Sequence, residues 1–156
     1  MAVKPIPEGY TSITPYLTVD DGKAAIEFYK RAFGATERGA MAAPDGRIAH
    51  AELRIGDAVI MLSDKFPQFV CQTPKELGGT TVGIFLFVED VDAVVQDAAD
   101  AGATIIMQPE DQFWGDRLGQ VIDPFGHVWQ IATRVEEPTP EEIEARSREV
   151  FATTMG

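Results

Sequence analysis

Trp114-Gly115-Asp116-Arg117-Leu118-Gly119-Gln120-Val121-Ile122-Asp123-Pro124-Phe125-Gly126-His127-Val128-Trp129-Gln130-Ile131 reads as two short strands joined by an Asp-Pro-Phe-Gly turn. Pro presets φ inside such a turn, and Gly accepts the left-handed conformation that closes a hairpin. Val121 and Ile122 lead into it and Val128, Trp129 and Ile131 lead out, enough apolar and β-branched weight for both arms to lie in a sheet. The polar residues that interrupt the arms, Arg117 and Gln130, are candidates to meet a ligand. His127 shares its strand side with Trp129 and Ile131, which gives it a structural role.

Working outward, the same hairpin occurs earlier, as Ile48 to Ile55, a Gly56-Asp57 turn and Ala58 to Ser63. Before each hairpin runs a strand and then a helix. Ser12 to Val19 alternates, with Ile13, Pro15, Leu17 and Val19 on one side and Thr14, Tyr16 and Thr18 on the other. Asp20 and Asp21 then offer N-cap oxygens to a helix whose Ala25, Phe28, Tyr29, Ala32 and Phe33 fall on one stripe, and Gly34 ends it. The second copy runs from Val82 to Val88 and through a helix capped at Glu89 and Asp90, with Val91, Val94, Val95 and Ala98 as its stripe and Gly102 as its stop. Thr36 to Met41 and Thr104 to Met107 supply the remaining strands. Val19 and Val88 are related by a shift of 69 positions, which also pairs Leu53 with Ile122 and Leu62 with Ile131. An internal repeat is expected.

The reading is therefore α+β: two tandem βαβββ modules forming a cup-shaped mixed sheet, with a short C-terminal helix. Residues 1–11 are an extended lead-in, 12–64 the first module, 65–80 a Pro- and Gly-bearing linker without sustained period, 81–134 the second module and 135–156 an acidic tail. In the tail, Thr139 as N-cap, Pro140 at the first helical position and Glu142 as capping-box partner predict a helix over Glu141 to Phe151. A chain of 156 residues buries enough surface to fold without staples. Its one cysteine, Cys71, precludes an intrachain disulfide and fits a reducing, cytoplasmic setting. The start, Met1 to Pro7, lacks the apolar core of a signal peptide. A formal net charge of −12 repels phosphate backbones and anionic lipid, so neither nucleic acid nor membrane is an expected partner.

Two βαβββ modules, the phrase Leu17-Thr18-Val19-Asp20-Asp21 and the Asp123-Pro124-Phe125-Gly126-His127 turn resemble the vicinal oxygen chelate superfamily, which groups glyoxalases, bleomycin-resistance proteins and extradiol dioxygenases. The resemblance covers roughly residues 10 to 134. Ala49-His50-Ala51-Glu52-Leu53, Phe113-Trp114-Gly115-Asp116-Arg117 and the Glu-rich tail are similar to its PhnB-like branch. The resemblance implies a cup whose concave face holds a small molecule, commonly in homodimers whose interface contributes to the site. Metal-dependent members place a divalent cation on the cup floor with His or Glu from the first and last strands of each module. Those positions fall here at Thr14, Met61, Gly83 and Gln130, which are not metal ligands in number or kind. No metal and no cofactor are expected.

His50 and Glu52 are then the most chemically capable pair. Two apart on one strand, they share a face with Ile48 and Arg54, and a His beside a carboxylate serves as acid or base near neutral pH. The alternative is that they are hydrogen-bonded wall residues or dimer contacts. The same face rule puts Tyr16, Phe85 and Phe87 inside the cup with Gln130, and the 69-residue shift sets Arg117 opposite Ile48. Trp114 is a lid over the mouth or a buried anchor. Cys71 has no activating environment and is a bystander. Three functions follow. The first is a binding protein that sequesters an apolar or cationic compound in a cup with a degenerate metal site, its ligand positions being Thr14, Tyr16, Met61, Phe85, Phe87, Trp114, Arg117 and Gln130. The second is a metal-independent lyase or isomerase with His50 and Glu52 as acid and base, Arg117 or Gln130 steadying an enolate-like oxygen. The third is a divalent-metal glyoxalase-type enzyme whose ligands lie elsewhere.

Overall fold

A computed structural model describes residues 2–155. In chain order the elements are β1 (Tyr16–Val19), α1 (Gly22–Phe33), β2 (Thr36–Ala42), β3 (Ile48–Ile55), β4 (Ala58–Asp64), α2 (Pro74–Leu77), β5 (Gly83–Phe87), α3 (Val91–Ala101), β6 (Thr104–Asp111), β7 (Asp116–Ile122), β8 (Val128–Arg134) and α4 (Pro140–Met155). They form two four-stranded mixed sheets, ordered β1-β4-β3-β2 and β5-β8-β7-β6. In each, the first strand runs parallel to the last and the other pairings are antiparallel.

Capping follows the expected chemistry. The Asp21 side chain accepts from Ala24 N at the start of α1, and Asp90 accepts from Ala93 N at the start of α3. Gly34 closes α1 in the left-handed region at φ 66°. α1 and α3 pack on one another, and their stripes merge with the covered sides of both sheets into one core that includes Leu53, Leu62, Val95, Val121, Trp129 and Ile131. The helix-free face of each sheet is left open.

Asp123 joins the modules at the turn of the quoted hairpin. One of its oxygens accepts from Phe125 N and His127 N, and the other from Tyr29 Oη of α1 and Trp129 Nε1. His127 Nε2 adds a bond to the Thr18 carbonyl at 2.9 Å, the structural role expected of it. Residues 65–80 carry structure as well: α2, closed by a Thr73/Glu76 capping box, sets Pro74 against Gly126 and Lys75 on Asp20.

Several expectations shift. β1 begins at Tyr16, because Pro15 has no N–H to give, and Ile13 lies exposed before it. β6 extends through Asp111, and α4 begins one residue earlier and runs past Phe151. Ile48 is buried against α1 rather than on the open face, because the β2/β3 register slips between Met41 and Ala42. The repeat also changes step inside its hairpins. Tyr16 pairs with Met61 and Phe85 with Gln130, as a shift of 69 requires, yet Glu52 pairs with Met61 whereas Gln120 pairs with Gln130. The second hairpin is one residue longer, so β7 is displaced by one against β3. Since side chains alternate, every partner assigned to β7 moves to the other face. Ile122 is not the twin of Leu53; Gln120 is the twin of Glu52.

Candidate functional site

On the open face of the first sheet, three side chains from two strands form a chain. Tyr16 on β1 and His50 on β3 are brought together across β4, with Tyr16 Oη 3.0 Å from His50 Nδ1 and the rings 5.6 Å apart. His50 Nε2 lies 3.6 Å from Glu52 Oε2. The carboxylate sets the tautomer: a proton on Nε2 faces Glu52 favourably, whereas a lone pair there is repelled. Nδ1 is then the acceptor, and the Tyr16 hydroxyl donates to it.

Two depressions flank this chain. One, of about 440 Å³, is lined by Tyr16, Thr18 and Ser63 and by Phe69, Val70 and Cys71 of the linker. The other, of about 480 Å³, has Thr14, Glu52 and Met61 as its floor and Ile6, Pro7 and Tyr10 of the N-terminal segment as its wall. That segment crosses the sheet with Arg38 over the Tyr10 ring and donating to the Glu8 carbonyl. Its part in the wall was not legible in a Pro-rich stretch without periodicity.

The second sheet's open face is more apolar. Phe85 and Phe87 lie 4.9 Å apart by ring centroid and are 42% and 59% exposed. Gln130 stands next to them and crosses towards Gly83, where a Cβ would lie 3.4 Å from its Nε2. Gln120 is its neighbour on β7.

The sequence-derived candidates thus divide. Thr14, Tyr16, His50, Glu52 and Met61 collect on the first sheet, and Phe85, Phe87 and Gln130 on the second. Arg117 joins neither, a direct result of the longer hairpin. Its guanidinium grips Asp92 in the first turn of α3 at 2.7 and 3.0 Å and reaches Asp111 at 3.2 Å. These bonds lower the Asp92 carboxyl below its ordinary range and raise the guanidinium further. Trp114 donates through Nε1 to the buried Asp116 and packs on Phe113, which in turn meets Phe151 of α4. That is an anchor for the tail helix rather than a lid.

Thr14, Met61, Gly83 and Gln130 offer a hydroxyl, a thioether, no side chain and a neutral amide, a donor set that does not fit a divalent cation. Among the described residues no three His, Cys, Asp or Glu side chains gather as a metal site.

Residues 10–131 match the family described as the Glyoxalase/Bleomycin resistance protein/Dioxygenase superfamily. The chain belongs to this superfamily. Among its relatives is the uncharacterized protein Rv0887c of Mycobacterium tuberculosis, 49% identical over 137 residues that span 86% of this chain and 81% of that one. Two solved structures extend the comparison. TioX from Micromonospora sp. ML1 superposes with a TM-score of 0.64 at 28% identity, over 80% of this chain and 99% of its own. An Arabidopsis thaliana gene product, At5g48480, gives 0.60 at 30% identity, over 79% and 98%. The glyoxalase-like architecture is therefore common to the chain and its neighbours. No helix of the described residues is long and apolar enough to cross a membrane.

Proposed function

We propose that the protein is a small-molecule-binding member of the superfamily, of its PhnB-like branch, which sequesters an apolar or cationic compound in a cup made by the Tyr16 face of one chain and the Phe85 face of a second copy. The observation that carries this reading is the pair of open, aromatic sheet faces. Tyr16 is 47% exposed and Phe85 and Phe87 comparably so, each beside polar groups able to orient a ligand. Neighbouring apolar surface left open in this way marks a place where something binds, and small-molecule sites combine apolar walls with a few convergent polar groups. A two-fold pairing of copies sets each half-site against its complement and closes two equivalent cups. The acidic net charge favours a cation. The exposed Cys71 suits a reducing cytoplasm, and the His50 and Trp114 stretches support the branch.

Isothermal titration against a panel of cationic aromatic antibiotics tests the reading. Saturable heat is expected for at least one compound, with a dimer mass by light scattering. No heat for any of them at high protein concentration contradicts it. A second reading, a metal-independent lyase or isomerase with His50 and Glu52 as acid and base, is supported by the Tyr16–His50–Glu52 chain, in which the Tyr16 hydroxyl would relay the proton between His50 and a ligand. Under that reading His50→Ala abolishes turnover of any substrate found; unchanged turnover removes it.

A further inference from the structure

The depression of about 440 Å³ on the first sheet has a polar floor that the fold leaves unused. Thr18 on β1 and Ser63 on β4 stand side by side as register partners, 6% and 1% exposed. Neither hydroxyl has a hydrogen-bond partner among the described residues, and neither is sealed off, since both residues line the depression. Buried polar groups are ordinarily paired, so two idle neighbours in one hollow mark where a ligand supplies the missing bonds.

The roof over them is held at both ends. Phe66 is buried with the Arg47 guanidinium 4.2 Å over its ring centroid, and Arg47 Nη1 donates to the Lys65 carbonyl. On the far side Lys65 pairs with Glu76 of the Thr73 capping box. Between these anchors Phe69, edge-on to Phe66 at 5.6 Å, Val70 and Cys71 arch past the two hydroxyls. Gln68 completes the lining, which holds no carboxylate, ammonium, guanidinium or imidazole. A charge buried there finds no counter-charge. Neighbouring strands run about 4.8 Å apart, so one ligand oxygen with two lone pairs reaches both hydroxyls. An uncharged carbonyl takes both protons and brings no donor of its own that needs a partner.

From this geometry we infer that the hollow takes an uncharged, carbonyl-bearing end of an apolar ligand, its oxygen accepting from Thr18 and Ser63 and its body lying against Phe69 and Val70. The inference rests on the reading that this face binds a small molecule, and it names the group recognised. Any charge elsewhere on the compound stays outside this hollow.

Three naphthalenes that differ at one substituent serve as probes: 2-acetylnaphthalene, 2-ethylnaphthalene, which lacks the oxygen, and 2-naphthoate, which brings an anion. Each is titrated by calorimetry into the full-length wild type, Thr18→Val, Ser63→Ala, the double variant and Phe69→Ala. The ketone is expected to bind about tenfold more tightly than the ethyl compound, in keeping with the net worth of neutral hydrogen bonds, and naphthoate more weakly than the ketone. Thr18→Val and Ser63→Ala each remove one donor and narrow the gap while leaving the ethyl compound unchanged, and the double variant closes it. Phe69→Ala weakens both alike. Since neither hydroxyl holds a bond within the fold, both single variants are expected to melt at or above the wild-type temperature. At saturation the ketone slows alkylation of the exposed Cys71 by iodoacetamide, which reports occupancy of this hollow.

Equal binding of the ketone and the ethyl compound by the wild type overturns the inference, as does a gap that survives the double variant or alkylation of Cys71 unslowed at saturation. If the probes bind alike and Phe87→Ala weakens all of them, the cup reading stands and the carbonyl selection fails. If no probe binds saturably, the carbonyl selection fails, and the antibiotic panel decides the cup reading by itself.

Discussion

Asp123 receives four hydrogen bonds on two oxygens in a buried setting, and through Tyr29 it ties α1 to the second sheet. Replacing it with Ala leaves a tyrosine hydroxyl, an indole N–H and two backbone N–H groups without an acceptor, and each buried orphan costs about 1–3 kcal/mol. Partial access of water to the turn tempers the sum, and Asp123→Ala is expected to lose about 3 kcal/mol or more by urea denaturation. Tyr29, its partner, is held well above the ordinary tyrosine range, first by burial and then by the Asp123 carboxylate. The unfolded chain therefore gives up this proton more readily than the folded one. The stabilisation is whole below the ordinary value of about 10 and falls as pH rises above it. Ultraviolet titration of phenolate absorbance is expected to show one tyrosine that ionises only as the fold opens, a component absent in Tyr29→Phe.

At the scale of elements, close approaches decide more than propensities do. Gly22 opens α1 where a Cβ would come 2.6 Å from Ile48 Cβ and 2.7 Å from Asp64 Oδ2, the carboxylate that accepts from Ile48 N. Gly22→Ala is expected to destabilise by about 1–3 kcal/mol, read as a lower denaturation midpoint. Arg117 offers the opposite case: Arg117→Ala is expected to lower the melting temperature slightly by freeing the start of α3, and to leave ligand affinity unchanged. Both outcomes trace to what was and was not legible in the chain. Glycine stops, aspartate caps and the two hairpins mark the order of elements because each acts within a few residues. Alternation likewise places His50, Glu52, Tyr16, Phe85 and Gln130. What the residues do not announce is register across a turn. The five residues between Ile122 and Val128, against four between the equivalent pair Arg54 and Val59, displace β7 by one position and carry Arg117 to the helix side. The Tyr16–His50 bond is invisible for a similar reason, since it depends on β4 lying between two strands distant in sequence.

For the whole molecule, the consequence of packing α1 on α3 is that both sheets give their covered faces to one core and turn the faces proposed to bind ligand outward. The residues for a cup are all present on one chain, yet they lie on two separate sheets. The proposed completion of each cup by a second copy is tested most directly by subunit mixing. Glu52→Gln impairs the first half-site, and Phe87→Ala impairs the second. Each variant alone binds weakly, because every cup in its dimer carries a defect. In a refolded equal mixture, each mixed dimer pairs the two defects in one cup and leaves the other cup intact, restoring about a quarter of the wild-type sites. Titrated with the cationic aromatic compound bound by the wild type, the mixture is predicted to recover that fraction at wild-type affinity; a mixture as inactive as its two components would contradict the account.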